Sequence, residues 1–206
     1  MPAPRLFIVA GPNGSGKSLF SKELTESDFE VFDGDNHMTK LAKMFPETGS
    51  EALWSHINDH LFVEEKRKAI KSLLNYAFET NFSAADPMAS AYAFKKEGYE
   101  VHLLFMGLGS LEESIQRVAQ RVRVGGHKVS EESIKYNYEH GFKNLYKYFK
   151  EFTSVTLFDN AIADTEEPVI PKEILHIIGG KLFLDSKDIP HWAKPIRDSF
   201  DTDNVL

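Results

Sequence analysis

The chain has 206 residues, 42% of them hydrophobic, and its 31 acidic and 24 basic side chains give a formal net charge of −7. This size and composition are typical of a single core-forming domain. Because the sequence contains no cysteine, it has no disulfide framework, thiolate zinc site or thiol nucleophile. The acidic balance argues against a bulk nucleic-acid binder, so we do not expect a nucleic-acid partner.

The sequence offers no segment suited to crossing a membrane. Its apolar runs, such as Leu6–Ala10, are far below the ~20 residues that span a bilayer. The N-terminus, Met-Pro-Ala-Pro-Arg, lacks the charged start, apolar stretch and cleavage site of a signal peptide. We therefore expect a cytoplasmic protein with no membrane partner.

Strand-like and helix-like segments alternate along the chain. In chain order we expect a strand (5–10), a helix (17–24), a strand (30–32), an acidic turn (33–35), a helix (51–76), a strand (77–80), a helix from Asp86-Pro87 to about 97, a strand (99–108), helices (110–124 and 130–149), a strand (154–158), a hairpin (174–178 and 181–184) and a short helix (192–199). This alternation predicts a mostly parallel sheet that is covered by helices on both faces.

Residues 11–18, which we call the phosphate cradle, satisfy the motif GxxxxGK[ST]. The cradle lies between a predicted strand and a predicted helix, where backbone N–H groups and the positive helix end bind phosphate oxygens. We expect Lys17 to reach the β and γ phosphates of ATP and the Ser18 hydroxyl to bind Mg²⁺. The expected nucleotide-binding residues of the cradle are Gly11, Pro12, Asn13, Gly14, Ser15, Gly16, Lys17 and Ser18.

The cradle and the alternating elements predict the fold class. We expect an α/β, three-layer P-loop NTPase of nucleotide-kinase type, with a mostly parallel central sheet, a helical lid and a small C-terminal hairpin. One domain should cover residues 1–206, with the lid at about 115–150 and a C-terminal extension at about 161–206. The motif leaves the reaction open, because switches, motors, kinases and regulatory modules all use it.

Acidic side chains follow two of the predicted strands near the cradle. Asp33 and Asp35 follow the second strand, and Glu79 lies at the end of the third. Ligands of open parallel sheets gather at the carboxyl ends of strands, so these acids should face the γ phosphate. A kinase needs a carboxylate to accept the proton of the attacking hydroxyl, and Asp35 is the better candidate because Asp33 can simply shape an Asp-Gly turn. Glu79 has the alternative of a purely structural role in a buried strand.

A basic cluster lies in the expected lid. Arg117 and Arg121 are spaced i, i+4 on a helix. Further basic residues flank the glycine pair at 125–126, namely Arg123, His127 and Lys128. Arginine forks compensate charge on the transferring phosphoryl group, and a glycine hinge suits a lid that excludes water. We therefore expect catalytic roles for Arg117 and Arg121; the alternative is a solvated helix face.

Asp159-Asn160 follows the strand predicted at 154–158. Nucleotide kinases place their base-binding loop after this strand, which predicts a nucleotide contact for Asn160. The alternative is an ordinary turn, since Asp and Asn are common turn residues.

Taken together, these residues resemble the zeta-toxin family of P-loop kinases, in particular its small stand-alone branch once described as predicted ABC-type ATPases. The matching segments occur in order along the chain: AGPNGSGKS at 10–18, FDGD at 32–35, FETNFS at 78–83, RVAQRVRVGGHKVS at 117–130, KNL at 143–145 and TLFDN at 156–160. The cradle alone is unspecific, whereas the RVxxRVxxGGHxV run is distinctive.

The resemblance implies an activity and a partner. The family's best-known reaction is the ATP-dependent phosphorylation of the 3′-hydroxyl of the amino sugar in UDP-N-acetylglucosamine, which poisons peptidoglycan synthesis. A UDP-sugar is therefore the implied acceptor. If the chain is a toxin, the resemblance also implies a neutralising antitoxin protein.

The resemblance also assigns roles to residues. Carried over by position, these are a base at Asp35, a substrate-side acid at Glu79, the place of a substrate-binding hydroxyl at Asn81, a γ-phosphate arginine at Arg117 or Arg121, and the place of a second, nucleotide-binding arginine at His127. Asp33 and Ser83 join Glu79 and Asn81 as the substrate-binding set. The departures from the family pattern, including Tyr136-Asn137-Tyr138 where many relatives carry a basic pair, lie on the acceptor side.

Two other functions remain open. A nucleoside or polynucleotide end kinase would use the same cradle, acid and lid, but it predicts a basic track with exposed aromatics near Glu79, where Phe82 and Tyr92 are too few. A nucleotide-binding regulatory module with little turnover would need only the cradle.

Overall fold

A computed structural model describes residues 2–25, 31–126, 128–160 and 171–202. Within these residues the strands are β1 Arg5–Ala10, β2 Tyr76–Thr80, β3 Glu100–Gly107, β4 Ser154–Asp159, β5 Lys172–Ile178 and β6 Lys181–Asp185. The α-helices are α1 Lys17–Leu24, α2 Gly34–Met44, α3 Ser50–His56, α4 Phe62–Ser72, α5 Asp86–Lys96, α6 Leu111–Arg123, α7 Glu131–Tyr148 and α8 Lys194–Thr202. A π-helical turn, Ile57–Leu61, joins α3 to α4, and a 3₁₀ turn, Phe149–Glu151, follows α7.

The strands form one sheet in the order β2-β1-β3-β4-β5-β6. The pairs that link β1 to β4 are parallel, while β5 and β6 add antiparallel pairs at one edge. Alternate residues of β1 pack in two different clusters, Leu6 and Ile8 in one and Phe7 and Val9 in the other, so both faces of the sheet are covered. The predicted α/β fold with a mostly parallel sheet is confirmed.

The register of the central strands positions the site. Ala10, the last residue of β1, pairs with Thr80 of β2 on one side and with Phe105 of β3 on the other. Because the three strands are parallel, their carboxyl ends lie at one edge of the sheet. The cradle that follows β1 is therefore flanked by the residues that follow β2.

The predicted strand at 30–32 is reduced to a single bridge. Phe32 pairs with Phe78, its N–H donates to the Ala77 carbonyl at 2.9 Å, and the Glu79 N–H donates to the Phe32 carbonyl at 2.9 Å. Residue 30 lies outside the described residues. The prediction of a full strand was wrong for 31–32, where only this bridge forms.

The predicted acidic turn at 33–35 is instead the start of a helix. Asp33 is the N-cap of α2, and its Oδ1 accepts a hydrogen bond from the Asn36 N–H at 3.1 Å. An Asp-Gly pair is compatible with both structures, because the same side chain that shapes a turn also caps a helix. Asp35 consequently lies in the first turn of α2.

The helix predicted at 51–76 contains a π-helical turn and ends early, at Ser72. In the π-helical turn between α3 and α4 the Phe62 N–H donates to the Ile57 carbonyl, five residues back. Leu73, in the left-handed conformation at φ 52°, ends α4, and the chain enters β2 at Tyr76. Apolar spacing continues across these breaks and hides them.

The helices predicted at 110–124 and 130–149 and the predicted hairpin are present. Ser110 and Ser130 cap α6 and α7 by accepting hydrogen bonds from the backbone N–H groups of Glu113 and Ser133. The hairpin of β5 and β6 joins the central sheet, and the last helix begins at residue 194 rather than 192. In the described residues no helix has both the length and the apolar character to cross a membrane.

The C-terminal segment contributes to the main core. Trp192 and Ile196 are buried in the same cluster as Phe105 of β3. A Cβ atom added at Gly107 would lie 2.2 Å from the Trp192 ring, so only glycine allows this approach. These contacts support one domain over 1–206, which stays a prediction together with the lid and extension boundaries.

Candidate functional site

The cradle follows β1 and ends on α1. Gly14 and Gly16 have positive φ angles of 78° and 90°, a region that L side chains rarely adopt. Both glycines also have close neighbours. A Cβ atom added at Gly14 would lie 2.9 Å from the Arg117 Cβ, and one added at Gly16 would lie 2.7 Å from the Asn160 Nδ2. The glycine spacing of the motif therefore follows from the backbone conformation and from contacts with α6 and the β4 end.

Lys17 is held against the cradle. Its Nζ donates to the carbonyls of Gly11 at 2.7 Å and Pro12 at 3.1 Å, and to the Asn81 Oδ1 at 3.2 Å. Burial lowers the pKa of Lys17, while the charge of Glu79 opposes this shift. The ammonium group thus lies at the junction of the cradle and the loop after β2.

Glu79 links β2 to α1. The Ser18 hydroxyl donates to its Oε2 at 2.7 Å, and the Ser21 hydroxyl donates to its Oε1 at 2.8 Å. Burial raises the pKa of Glu79, and the charge of Asp33 raises it further, against the lowering effect of the two serine donors and Lys17. The carboxyl group therefore contacts the serine that was predicted to bind Mg²⁺.

Replacing Glu79 by glutamine should change how stability depends on pH. The pKa of Glu79 is higher in the folded protein than its ordinary value, so the folded protein holds this proton over a wider pH range than the unfolded chain. As the pH rises from about 4, the free energy of unfolding of the wild type should therefore fall relative to that of Glu79→Gln. Urea denaturation of both proteins across this range measures the difference, and a difference that rises with pH would contradict the raised pKa.

The lid arginines have different surroundings. Arg117 forms an ion pair with Glu113 at 2.6 Å and donates to the backbone carbonyls of Asn160 and, at 3.4 Å, Gly14. Arg121 lines the cleft beside the cradle, and its charge contributes to the lowered pKa of Lys17. Arg117 thus contacts the wall of the cradle, while Arg121 acts electrostatically on Lys17.

Two further nucleotide-side predictions concern Asn160 and His127. The Asn160 Nδ2 donates to the Ser15 carbonyl at 2.8 Å, so this residue contacts the cradle from the end of β4. Its contact with a base stays a prediction. His127 lies outside the described residues.

The predicted substrate residues Asn81 and Ser83 are separated in the structure. Asn81 lines the cleft and accepts from Lys17, whereas Ser83 is not among the lining residues and donates to the Asn137 Oδ1 at 2.7 Å. The Asn137 Nδ2 in turn donates to the Asn13 Oδ1 of the cradle at 2.9 Å. Asn137 on α7 therefore bridges the cradle and the loop after β2, a role that sequence reasoning missed.

Replacing Asn137 by alanine should destabilise the fold. The change removes one donor and one acceptor from partly buried partners, which should lower the free energy of unfolding by about 1–3 kcal/mol. Lys135→Ala, an exposed neighbour on α7, is the matched control and should stay within about 0.5 kcal/mol of the wild type. Chemical denaturation measures both, and equal effects of the two changes would show that the bridge contributes nothing.

Most of the predicted site lies around one cleft of about 650 Å³. The predicted residues that line it are Asn13, Gly14, Gly16, Lys17, Ser18, Asp33, Asp35, Glu79, Asn81, Arg117 and Arg121. Lining residues that sequence reasoning missed include Trp54, Asn58 and Phe62, from α3, the π-helical turn and α4. Their helical spacing alone gave no sign of a cleft.

Comparison with known proteins identifies relatives of the chain. The family model of the zeta toxins matches residues 1–167. An uncharacterised protein of Haemophilus influenzae is 28% identical over 139 residues, which are 65% of this chain and 92% of that protein.

Solved structures share the fold. A chain of the AvrRxo1-ORF1:-ORF2 complex with ATP matches with a TM-score of 0.63 at 16% identity, covering 95% of this chain and 63% of that chain. A structure of the PezAT chromosomal toxin-antitoxin system of Streptococcus pneumoniae matches with a TM-score of 0.56 at 15% identity, over 77% of this chain and 69% of that chain. This chain thus spans less than two thirds of the AvrRxo1 chain. Because the family match covers most of its length, the chain belongs to the zeta toxin family.

Proposed function

We propose that the protein transfers the γ-phosphoryl group of ATP to a hydroxyl group of a small molecule. The observation that carries this proposal is one cleft in which the cradle lies together with Asp35 and Arg121. Phosphoryl transfer needs held phosphates, a group that takes the hydroxyl proton and a cation for the charge that develops on the phosphoryl oxygens. The residues of the cleft can supply all three.

ATP is the phosphoryl donor in this proposal. The cradle sequence supports it, as does the likeness in fold to an AvrRxo1 structure that was solved with ATP. We propose that Lys17 exchanges its bonds to the carbonyls of Gly11 and Pro12 for bonds to the β and γ phosphates. The Asn160 side chain, beside Ser15, is proposed to face the nucleotide.

Mg²⁺ fits the donors at the end of β2. The Ser18 Oγ lies 2.7 Å from the Glu79 Oε2, so a hydroxyl and a carboxylate, both hard oxygen ligands, meet beside the cradle. No group of three or more His, Asp or Glu side chains within the described residues could hold a metal. Ser18 and Glu79 would therefore share the ion with phosphate oxygens and water, and Mg²⁺ supplies charge neutralisation at the β and γ oxygens.

The proposed transfer is direct and in line. The acceptor hydroxyl oxygen forms a bond to the γ phosphorus, the bond from that phosphorus to the β–γ bridging oxygen breaks, and the Asp35 carboxylate takes the hydroxyl proton. Arg121 is proposed to stabilise the equatorial oxygens, while Arg117 is proposed to hold the cradle wall through its bonds to Gly14 and Asn160. ADP leaves with the electron pair of the broken bond.

The acceptor is proposed to bind on the side of the cleft formed by Asp33, Glu79 and Asn81. Ser83 would act on this side indirectly, through Asn137. UDP-N-acetylglucosamine, or a related hydroxyl compound, is the acceptor that the family resemblance implies. It is therefore the reference compound for testing activity.

The proposal is tested by incubating the purified protein with γ-labelled ATP, Mg²⁺ and a panel of acceptors. The panel contains UDP-sugars, free sugars, nucleosides and 5′-hydroxyl oligonucleotides. Label transfer to a small-molecule hydroxyl supports the proposal, and transfer only to oligonucleotide ends would make the protein a polynucleotide kinase. Nucleotide binding without a labelled product from any acceptor would instead favour a regulatory module.

A partner protein is proposed from the family. The names of the AvrRxo1 and PezAT structures describe two-component complexes, the second a toxin-antitoxin system. We propose that this chain also has an antitoxin. Growth arrest on expression of the wild type, but not of Lys17→Ala, followed by rescue from a neighbouring gene, would identify it.

A further inference from the structure

The acceptor side of the cleft has an aromatic wall, formed by Phe32, Trp54, Phe62 and Phe78. The ring centroids of Phe32 and Phe62 are 4.8 Å apart, and those of Phe62 and Phe78 are 5.1 Å apart. The Trp54 ring packs on the start of α2, where an added Cβ at Gly34 would lie 3.3 Å from its Cζ3. The wall is therefore a packed aromatic surface, in which Phe32 and Phe78 are buried and Trp54 and Phe62 are the partly exposed rings that a ligand can contact.

Carboxylates face the same space. Asp33, Asp35, Glu79 and Asp86 all line the cleft, from the start of α2, the end of β2 and the start of α5. Besides Glu79, which is proposed to bind Mg²⁺, this side of the cleft carries three aspartates. An acceptor that lies on the aromatic wall is consequently surrounded by negative charge.

The cations of the cleft lie on the other side, at the cradle. Among the described residues that line the cleft, the positive side chains are Lys17, Arg117 and Arg121. Lys17 and Arg117 bond to carbonyls of the cradle itself, and all three are close to where a triphosphate would bind. Within the described part of the chain, the lining gives no lysine or arginine to a second anionic group on the acceptor.

Lys66 is the cation behind the aromatic wall. Its Nζ lies 4.0 Å from the centroid of the Phe62 ring and donates to the Ser90 hydroxyl at 3.0 Å. Asp86 is its electrostatic partner. Lys66 is not a lining residue, so its charge is directed to Asp86 and the wall rather than to a bound phosphate.

We propose that the acceptor is a phosphate-free hydroxyl compound, neutral or positively charged, that lies with a ring or apolar face on the aromatic wall. Aromatic faces bind apolar ring faces and ammonium groups, and carboxylates accept hydrogen bonds from hydroxyl and ammonium groups. A diphosphate in the same place meets these aspartates without a compensating lysine or arginine among the described lining residues, which selects against it. This inference rests on the proposed kinase function, and it makes UDP-N-acetylglucosamine a poorer acceptor than N-acetylglucosamine.

Pairs of acceptors in which one member is phosphate-free and the other carries phosphate test the inference. The pairs are N-acetylglucosamine with UDP-N-acetylglucosamine, uridine with UMP, and glucosamine with glucosamine 6-phosphate. Transfer from γ-labelled ATP gives kcat/KM for each compound, and we expect at least about a tenfold advantage for the phosphate-free member of the preferred pair. Binding is measured separately, from the change in tryptophan fluorescence when the compound is added in the presence of a non-hydrolysable ATP analogue. Trp54→Phe should abolish this change.

A charge variant adds an internal control. Asp86→Asn removes one carboxylate from the acceptor side, so the advantage of the phosphate-free member should shrink several-fold. Glu64→Gln removes an exposed carboxylate of α4 that does not line the cleft and should leave the ratio unchanged. Equal ratios in wild type and Asp86→Asn would overturn the role given to this charge.

The outcomes separate the two proposals. Faster transfer to the phosphate-bearing members would overturn this inference while the kinase function stands. Tighter binding of the phosphate-free members without transfer to any compound would support the inference about the site and overturn the kinase function. The absence of binding and of transfer for every compound tested would overturn both.

Discussion

Lys17→Ala should lower the turnover of labelled phosphate transfer at least about 10²-fold, because it removes the only cradle side chain that brings a positive charge to the phosphates. In the structure its Nζ is held by the carbonyls of Gly11 and Pro12, at the place where a triphosphate is proposed to lie. The charge is therefore already in position before the nucleotide binds. Steady-state kinetics at saturating ATP measure the loss.

The control for this variant is Lys22→Ala, which removes an exposed lysine from the same helix. It should leave turnover within about twofold of the wild type, since it lies outside the cleft. Thermal denaturation of both variants checks that the cradle still folds. A folded Lys17→Ala with wild-type turnover would remove Lys17 from the reaction.

Asp35→Asn should also lower turnover at least about 10²-fold, because the amide cannot take the proton of the acceptor hydroxyl. The side chain keeps its size and its place in the first turn of α2, so ATP binding should be retained. The expected result is a fall in kcat with little change in the Kd for ATP. Single-turnover transfer and nucleotide titration measure the two quantities.

Asp33→Asn separates proton transfer from helix capping. Asparagine caps helices about as well as aspartate, so the hydrogen bond from the Asn36 N–H is preserved while the charge is lost. We expect a loss of at most about tenfold for this variant if Asp35 is the base. A larger loss in Asp33→Asn than in Asp35→Asn would move the base to Asp33.

Local sequence was sufficient for the elements that a short motif defines. The strand before the cradle and the helix after it were predicted with the observed bounds, because an apolar run, three glycines and a lysine-serine pair constrain the backbone within about ten residues. The same holds for the start of α7, which the serine N-cap at Ser130 and the acidic first turn predict.

Other elements could not be predicted, because one local pattern allows two structures. The Asp33-Gly34 pair suits a turn as well as a helix start, and in the structure Asp33 caps α2 directly after the bridge from Phe32 to β2. The apolar spacing through 51–76 suits one helix, while the left-handed Leu73 turns the chain into β2. Tertiary context decides both cases.

The candidate site shows the same division. The cradle and the acids were predictable because they follow strands, whereas the link between Asn13, Asn137 and Ser83 joins parts of the chain that are far apart in sequence. The different surroundings of Arg117 and Arg121 likewise depend on Glu113 and on the loop after β4. The spacing of residues along the sequence does not predict these contacts.

The π-helical turn Ile57–Leu61 sets the direction in which α3 presents its side chains. In a π-helical turn the backbone hydrogen bond joins residues that are five apart instead of four, so the turn holds one residue more than a turn of regular α-helix. One residue corresponds to a rotation of about 100° around the helix axis. Deletion of a single residue there is expected to rotate α3 by about this angle relative to α4 and to turn Trp54 away from Gly34. The extra residue of the π-helical turn therefore sets the rotation that brings the Trp54 ring to the start of α2 and into the lining of the cleft.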